Sequence, residues 1–415
     1  MSSLNDRLKN LTPEQRAVLE KRMKAKGLNT AVVTASQEPT AMPESMLAAM
    51  GGGQTAVSKK QRPRLTDKGM DFSIFFFSGD GSTEEPDKYR MLLDSVKYAD
   101  QHGFSAVWTP ERHFEDFGGL YPNPSVLSAA LAMITENIQI RAGSVALPLH
   151  HPIRFVEEWA VVDNLSGGRT AVSFASGWHP SDFLIAPVPT RDYYNQRKEI
   201  MIDNINIIKQ LWAGETVMMT GIDGQEQPVK VLPRPLQNEL EVWVATNGSP
   251  ETYIKAAETG SHILTGLTNQ TLDEFEEKIK LYRETLAQHG YDPEAGKVTV
   301  MVHTCVGETN DEIKNKVRGP LKDYLKTFIK QQKNVMGNYE DFSEADQDAI
   351  VSYAFDKYFT ESSLFGTVDK CSGLIEDLID IGVTEVACLV DFGISVDDVM
   401  SSMNYLGKLK AKYTL

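Results

Sequence analysis

From Asp71 onward the chain alternates between short apolar runs and longer amphipathic stretches. The apolar runs lie at Phe72–Phe77, Ser105–Trp108, Ile138–Val145, Thr170–Phe174, Glu241–Ala245, His262–Leu264, Val298–Cys305 and Glu385–Val390. They are rich in β-branched and aromatic residues and too short for helices, so they predict buried strands. The stretches between them, at 86–102, 124–135, 152–165, 192–212, 250–259, 271–289, 309–331 and 368–381, predict helices, and a last helix is expected at about 395–411. Strands alternating with helices in this way predict a parallel (β/α)8 TIM barrel. A doubly wound open sheet is the alternative. It usually carries a G-x-G-x-x-G turn after its first strand, whereas this chain continues into Ser78-Gly79-Asp80-Gly81-Ser82.

The pattern breaks in four places. Residues 1–28 predict one helix, with Thr12-Pro13-Glu14-Gln15 as an internal start signal and Gly27 as a stop. Residues 29–66 are rich in Ala, Thr, Ser, Gln and Pro, contain Gly51-Gly52-Gly53, and predict a flexible linker. The barrel domain is therefore expected over 67–415. Within it, 214–240 predicts a hairpin turning at Gly221-Ile222-Asp223-Gly224, and 332–366 is a polar excursion expected to serve as a lid or an interface.

Length and composition narrow the class. The chain has 415 residues, 41% of them hydrophobic, and a net charge of −15. No basic stripe offers itself to nucleic acid. No apolar run reaches membrane-spanning length, and the N-terminus lacks the apolar core of a secretory signal. Three cysteines, Cys305, Cys371 and Cys388, form no C-x-x-C pair and no disulfide framework. A reduced, cytoplasmic setting is expected.

Candidate chemistry sits just after the predicted strands, the end of a barrel that carries active sites. After Trp108 comes Thr109-Pro110-Glu111-Arg112-His113-Phe114, which reads either as a surface ion cluster or as a catalytic loop. Arg141 through Pro148 ends a strand in small residues, Gly143 and Ser144 among them, where a flat ring could approach the backbone. His150-His151 follows, but neighbours in sequence rarely face one ion and no metal-ligand spacing occurs, so no metal is expected. Ser176-Gly177-Trp178-His179 combines small and amphipathic residues suited to a planar ligand; the alternative is a core tryptophan beside a surface histidine. Arg197, near a helix start where the dipole disfavours a cation, calls for a phosphate, a carboxylate or an ion-pair partner. Asn247-Gly248-Ser249-Pro250 opens a helix, with Ser249 as a possible cap, and gathers N–H groups that would suit a phosphate.

Taken in order, Glu111-Arg112-His113-Phe114 with Phe117-Gly118, Asn123-Pro124, Leu147-Pro148 with His151-Pro152, Asp163, Ser166, Gly168-Arg169, Arg197 and Leu211-Trp212 resemble the luciferase-like flavin monooxygenases over about 70–410. Ala175 to Pro180 and Ala387 to Gly393 resemble a branch found in nonribosomal peptide and polyketide assembly lines, and residues 4–24 resemble a lead-in helix between synthetase modules. The resemblance implies FMN, reduced by a separate flavin reductase, with O2 as co-substrate. It implies that Arg197, Asn247, Gly248 and Ser249 hold the phosphate, that Gly143-Ser144 is a non-proline cis peptide against the flavin ring, and that Ser176, Gly177 and Trp178 line the ring pocket. Luciferase has a His pair after the glutamate. Here Arg112 takes the first position, so catalytic candidates are His113, Arg112 and His179.

The expected function is hydroxylation of an acyl or aminoacyl group, tethered to a carrier protein or synthetase module, by a homodimer. A deazaflavin-dependent dehydrogenase on the same barrel and a non-enzymatic flavin-binding or docking module are the alternatives.

Overall fold

A computed structural model describes residues 69–77, 87–115, 118–267, 270–331 and 344–414. The expected N-terminal helix and linker, Phe117, and the 332–343 part of the excursion lie outside the described residues.

The strands are β1 (Asp71–Phe75), β2 (Ala106–Thr109), β3 (Gln139–Ala146), β4 (Thr170–Ala175), β5 (Val217–Thr220), β6 (Glu226–Val229), β7 (Glu241–Thr246), β8 (His262–Gly266), β9 (Val298–Val306), β10 (Leu364–Gly366) and β11 (Glu385–Leu389). The helices are α1 (Arg90–Gln101), α2 (Pro124–Ala132), α3 (Pro152–Ser166), α4 (Arg191–Asn195), α5 (Arg197–Ala213), α6 (Pro250–Glu258), α7 (Leu272–Gln288), α8 (Asn310–Gln331), α9 (Glu344–Glu361), α10 (Val368–Asp380) and α11 (Val396–Ala411). Strands β1, β2, β3, β4, β7, β8, β9 and β11 pair in parallel in that order, and β11 returns to β1. The result is the closed (β/α)8 barrel expected from alternation, and the open sheet is excluded. The 214–240 segment contains the expected antiparallel hairpin, β5 with β6.

Two elements were not expected. The excursion carries a full helix, α9, and the short β10, which adds to the rim end of β9 through Leu364–Thr304 and Gly366–Val306. The predicted 192–212 helix is broken at Gln196 into α4 and α5.

Local signals explain where helices begin and end. Asn123 caps α2, accepting from the Ser125 and Val126 amides, with Pro124 next; His151 caps α3 in the same way ahead of Pro152. Gly167, at φ 71°, ends α3, and Thr271 with Glu274 forms a reciprocal capping box on α7.

The barrel interior is packed around a buried ion pair. Arg141 on β3 lies between the rings of Trp108 and Trp243, 4.6 and 4.3 Å from their centroids. Its Nη1 donates to both Glu385 oxygens on β11, at 2.9 and 2.8 Å, and its Nε to Gln139. Glu385 also accepts from Ser73 Oγ and, at 3.4 Å, from Trp108 Nε1. Arg141, Glu385, Ser73 and Trp108 therefore partner one another, which a low-dielectric core demands.

Candidate active site

The β2 exit turns a buried carboxylate into an organising centre. Glu111 Oε1 lies 3.0 Å from His113 Nε2 and 2.8 Å from His150 Nε2, and its Oε2 accepts the Ala146 amide at 2.7 Å. The side chain is 1% exposed. Burial by itself pushes the carboxyl up, but the charge of His150 and the hydrogen bonds from both imidazoles outweigh it and hold Glu111 at about 2. Burial likewise pulls His150 down, while Glu111 across the hydrogen bond raises it above its ordinary value. The adjacent histidines thus part company, His150 serving this network and His151 capping α3.

Arg112 points the other way. It is 5% exposed; its Nη1 donates to Asp182 at 3.0 Å, and its guanidinium carbon sits 5.0 Å from the Trp178 ring centre. His179 stands 3.7 Å from both Asp182 and Glu115. Arg112 Nε and Nη2, His179 Nδ1 and Asp182 Oδ1 are buried with no hydrogen-bond partner among the described residues. Burial raises the Asp182 carboxyl, against the lowering pull of Arg112 and His179.

At the β3 exit the Gly143–Ser144 peptide is cis, as the sequence resemblance implied, and Ser144 Oγ donates to Ser173 Oγ at 3.0 Å. A Cβ on Gly143 would lie 2.9 Å from Phe75 and 3.0 Å from Trp108, so the barrel's own rings require glycine there. On β4's exit, Arg197 Nε donates to the Gly177 carbonyl at 2.9 Å and Nη1 to the Tyr194 carbonyl at 3.0 Å. Its partners are backbone oxygens that brace the Ser176–Trp178 loop. These two bonds leave three of its five N–H groups to offer elsewhere. Trp178 is 41% exposed at the rim.

Beyond β7, Gly248 adopts φ 98°, and a Cβ there would meet Lys278 Nζ at 3.3 Å. Ser249 occupies the cap position of α6 but makes no capping bond with its hydroxyl. Lys278 donates to Gln270, and burial lowers its amine below the ordinary value. Lys198, next to Arg197, reaches Glu251 of α6 at 4.0 Å.

The candidate residues therefore share one mouth of the barrel, along the exits of β2, β3, β4 and β7. Glu111, His150, Asp182 and Lys278 join them without having been singled out as site residues in the sequence. Glu111 lay within the first motif and Asp182 within the stretch Phe174–Phe183 that holds Ser176-Gly177-Trp178-His179, without a role assigned to either; Lys278 had no motif at all. Among the described residues, no group of three or more His, Cys, Asp or Glu could hold a metal ion.

Comparison with known proteins agrees with the barrel fold and identifies the family. The profile of the luciferase-like monooxygenase family matches residues 70–385. The oxygenase component of the flavin-dependent trigonelline monooxygenase of Acinetobacter baylyi is 24% identical over 80% of this chain and 92% of its own. The oxygenating constituent of 3,6-diketocamphane monooxygenase from Pseudomonas putida, solved with FMN, superposes with a TM-score of 0.70 at 18% identity, covering 83% of this chain and 99% of that one. An F420-dependent secondary alcohol dehydrogenase shares the fold with a TM-score of 0.61 at 15% identity, over 82% of this chain and 98% of that one. The chain belongs to the luciferase-like monooxygenase family and is a flavin-dependent monooxygenase.

Proposed function

We propose that this flavin-dependent monooxygenase binds reduced FMN across the β2–β7 side of the barrel mouth and hydroxylates an acyl or aminoacyl group with O2. The observation that carries this reading is the α6 N-terminus, where Gly248, an uncommitted Ser249 hydroxyl and the Lys278 amine converge on the rim that also holds Arg112 and the cis peptide. A helix N-terminus with a cation and a hydroxyl fits a phosphate. The buried, unpartnered N–H groups of Arg112 fit the polar edge of a planar ring or a developing negative charge.

Reduced FMN, when bound, supplies the electrons that activate O2. The chain's own residues bind, orient and exclude. Lys278, Ser249, Arg197 and the amides near Asn247 and Gly248 hold the phosphate. Ser176, Gly177 and Trp178 flank the ring beside Gly143 and Ser144. Trp178 screens Arg112 from water, which strengthens that cation's field. His113, with Nε2 held by Glu111, and His179, whose Nδ1 lies 3.7 Å from Asp182, are the imidazoles that would move a proton in this site.

Lys278→Ala or Ser249→Ala is expected to weaken reduced FMN about ten-fold while leaving riboflavin, which lacks the phosphate, unchanged. Equal losses for both ligands would remove the phosphate assignment. For the reaction, oxygen uptake driven by reduced FMN, with an oxygenated acyl thioester seen by mass spectrometry, is the expected result. Hydride transfer from a reduced deazaflavin without oxygen uptake would replace this reading with the dehydrogenase.

The sequence features at 4–24, 175–180 and 387–393 support a carrier-tethered substrate in secondary metabolism, with residues 1–28 as a docking helix, 29–66 as a linker and a separate flavin reductase as partner. The cysteines are all buried and free, which supports a reducing, cytoplasmic setting. No described helix is long and apolar enough to cross a membrane. Val126 and Met133 at α2 and Val161 and Leu165 on the adjoining α3 are exposed apolar residues, which supports a homodimer through this face. The full chain and residues 67–415 alone are both expected to sediment as dimers, and Val161→Glu with Leu165→Glu should give a monomer. A dimer that survives both changes would place the interface elsewhere.

A further inference from the structure

His303 is a buried imidazole on β9 that the proposed chemistry leaves unused. Thr299 fixes which side of β9 faces the barrel axis, because its Oγ1 accepts Trp243 Nε1 at 3.0 Å from β7. His303 is four residues further on and faces the same way, about 13 Å nearer the rim at the usual strand rise. It pairs with Leu389, and Leu389 with Phe75, whose ring lies beneath Gly143. In the ring of eight strands β9 stands four places from β3, so His303 occupies the wall opposite the cis peptide.

The imidazole is 3% exposed and edge-on to Tyr324, Tyr358 and Phe392, with ring centroids 4.7, 5.3 and 5.5 Å away. Its Nδ1 lies 2.7 Å from the Tyr358 hydroxyl on α9, and its Nε2 is buried with no partner among the described residues. Burial raises the Tyr358 phenol, which keeps its proton. A phenol that keeps its proton can donate to Nδ1, the arrangement that places the remaining ring hydrogen on Nε2 and that the inference below takes. Burial also pulls the imidazole down to about 3, so the group is a neutral N–H donor in an aromatic wall.

We propose that His303, oriented by Tyr358, is the hydrogen-bond donor that positions the substrate's carbonyl oxygen opposite the flavin, and that it makes the site select neutral carbonyl-bearing chains over carboxylates. This rests on the flavin reading above, since it takes the flavin to lie along β3. A carboxylate entering this wall would shed its water shell for one neutral donor. Asp391, which accepts the Phe77 amide at 2.7 Å and is close enough to Tyr324 to act on its phenol, adds a like charge nearby. A carbonyl sheds less and still satisfies Nε2.

The test uses octanamide and octanoate, a neutral and an anionic head on the same chain, titrated anaerobically into protein loaded with reduced FMN. Octanamide is expected to bind at least about ten-fold tighter than octanoate to the wild type. His303→Phe should abolish that preference with the fold retained; it removes the unpartnered Nε2 but strips the Tyr358 hydroxyl of its partner, so the melting temperature should fall only modestly. Tyr358→Phe should weaken octanamide several-fold, and His303→Gln, which keeps a terminal N–H, should recover part of the loss. Reduced FMN should bind all four proteins alike. Octanamide affinity unaltered in His303→Phe, or no octanamide binding to the wild type, overturns the proposal and leaves the flavin reading standing. Failure of the wild type to bind reduced FMN sinks the flavin reading instead; the same titrations on flavin-free protein then decide the role of His303 by itself.

Discussion

Arg141→Met is expected to destabilise the barrel by about 3–5 kcal/mol, read as a drop in urea midpoint with unchanged slope. The substitution leaves Glu385 buried with only Ser73 and Trp108 as donors, and removes the cation from between two tryptophan rings. A buried carboxylate stripped of its partner costs far more than the intact pair contributes. The double change Arg141→Met with Glu385→Leu should therefore recover most of the loss, as an apolar replacement of the whole pair often does. The contrast lies on the surface, where Arg154 pairs with Glu158 at 2.8 Å with the arginine mostly exposed. Removing that arginine should cost about 0–1 kcal/mol. If Arg141→Met cost no more than this, the interior pair would not be the keystone described here.

Glu111→Gln should abolish two opposite pH dependences at once and reduce product formation by about a hundred-fold or more, the range associated with a displaced acid–base group. The carboxyl is depressed from 4.5 to about 2 in the fold, a displacement worth about 3 kcal/mol. That contribution is complete above pH 4.5 and disappears as pH falls through 2. His150 is raised above 6.5, so its contribution is complete below pH 6.5 and disappears as pH rises through the folded value. Between pH 4.5 and 6.5 both are present, and stability should fall away on either side. Glutamine carries no charge, so both slopes should flatten. Histidine C–H resonances followed by NMR should show the His150 titration move down in the variant. A His150 midpoint unmoved by Glu111→Gln would disprove the coupling.

The barrel was legible because its wall is written in the chain itself. Runs such as Val298–Cys305 or Glu385–Val390 are buried on both faces, so they are mostly apolar and bounded by turns. The excursion was not legible, for a related reason. Phe355, Tyr358 and Phe359 are buried against the barrel by tertiary contact, yet they are embedded in polar sequence that reads as loop. Strand β10 is three residues long, too short for any periodicity to register.

The site was half legible. Glu111, Arg112 and His113 advertise themselves by standing together after a strand. Their partners His150 and Asp182 come from other loops, and Lys278 from the middle of α7, so only folding brings them near. Several of the residues that carry the family resemblance turned out to brace the opposite mouth. Arg169 donates to Ile138 and Thr135 carbonyls, and Asp163 accepts the Leu236 and Gln237 amides. A signature marks what a fold needs as well as what a reaction needs.

Strand β9 has a dual allegiance: its first residues pair with β11 and its last with β10. Everything between those two pairings and the return at Leu364 is tethered at both ends to a single backbone. The helix bearing Tyr358 thus returns the chain to the same strand that it left. A change of sequence in α9 would therefore alter what stands against His303 while the pairings of β9 with β10 and β11 stayed in place.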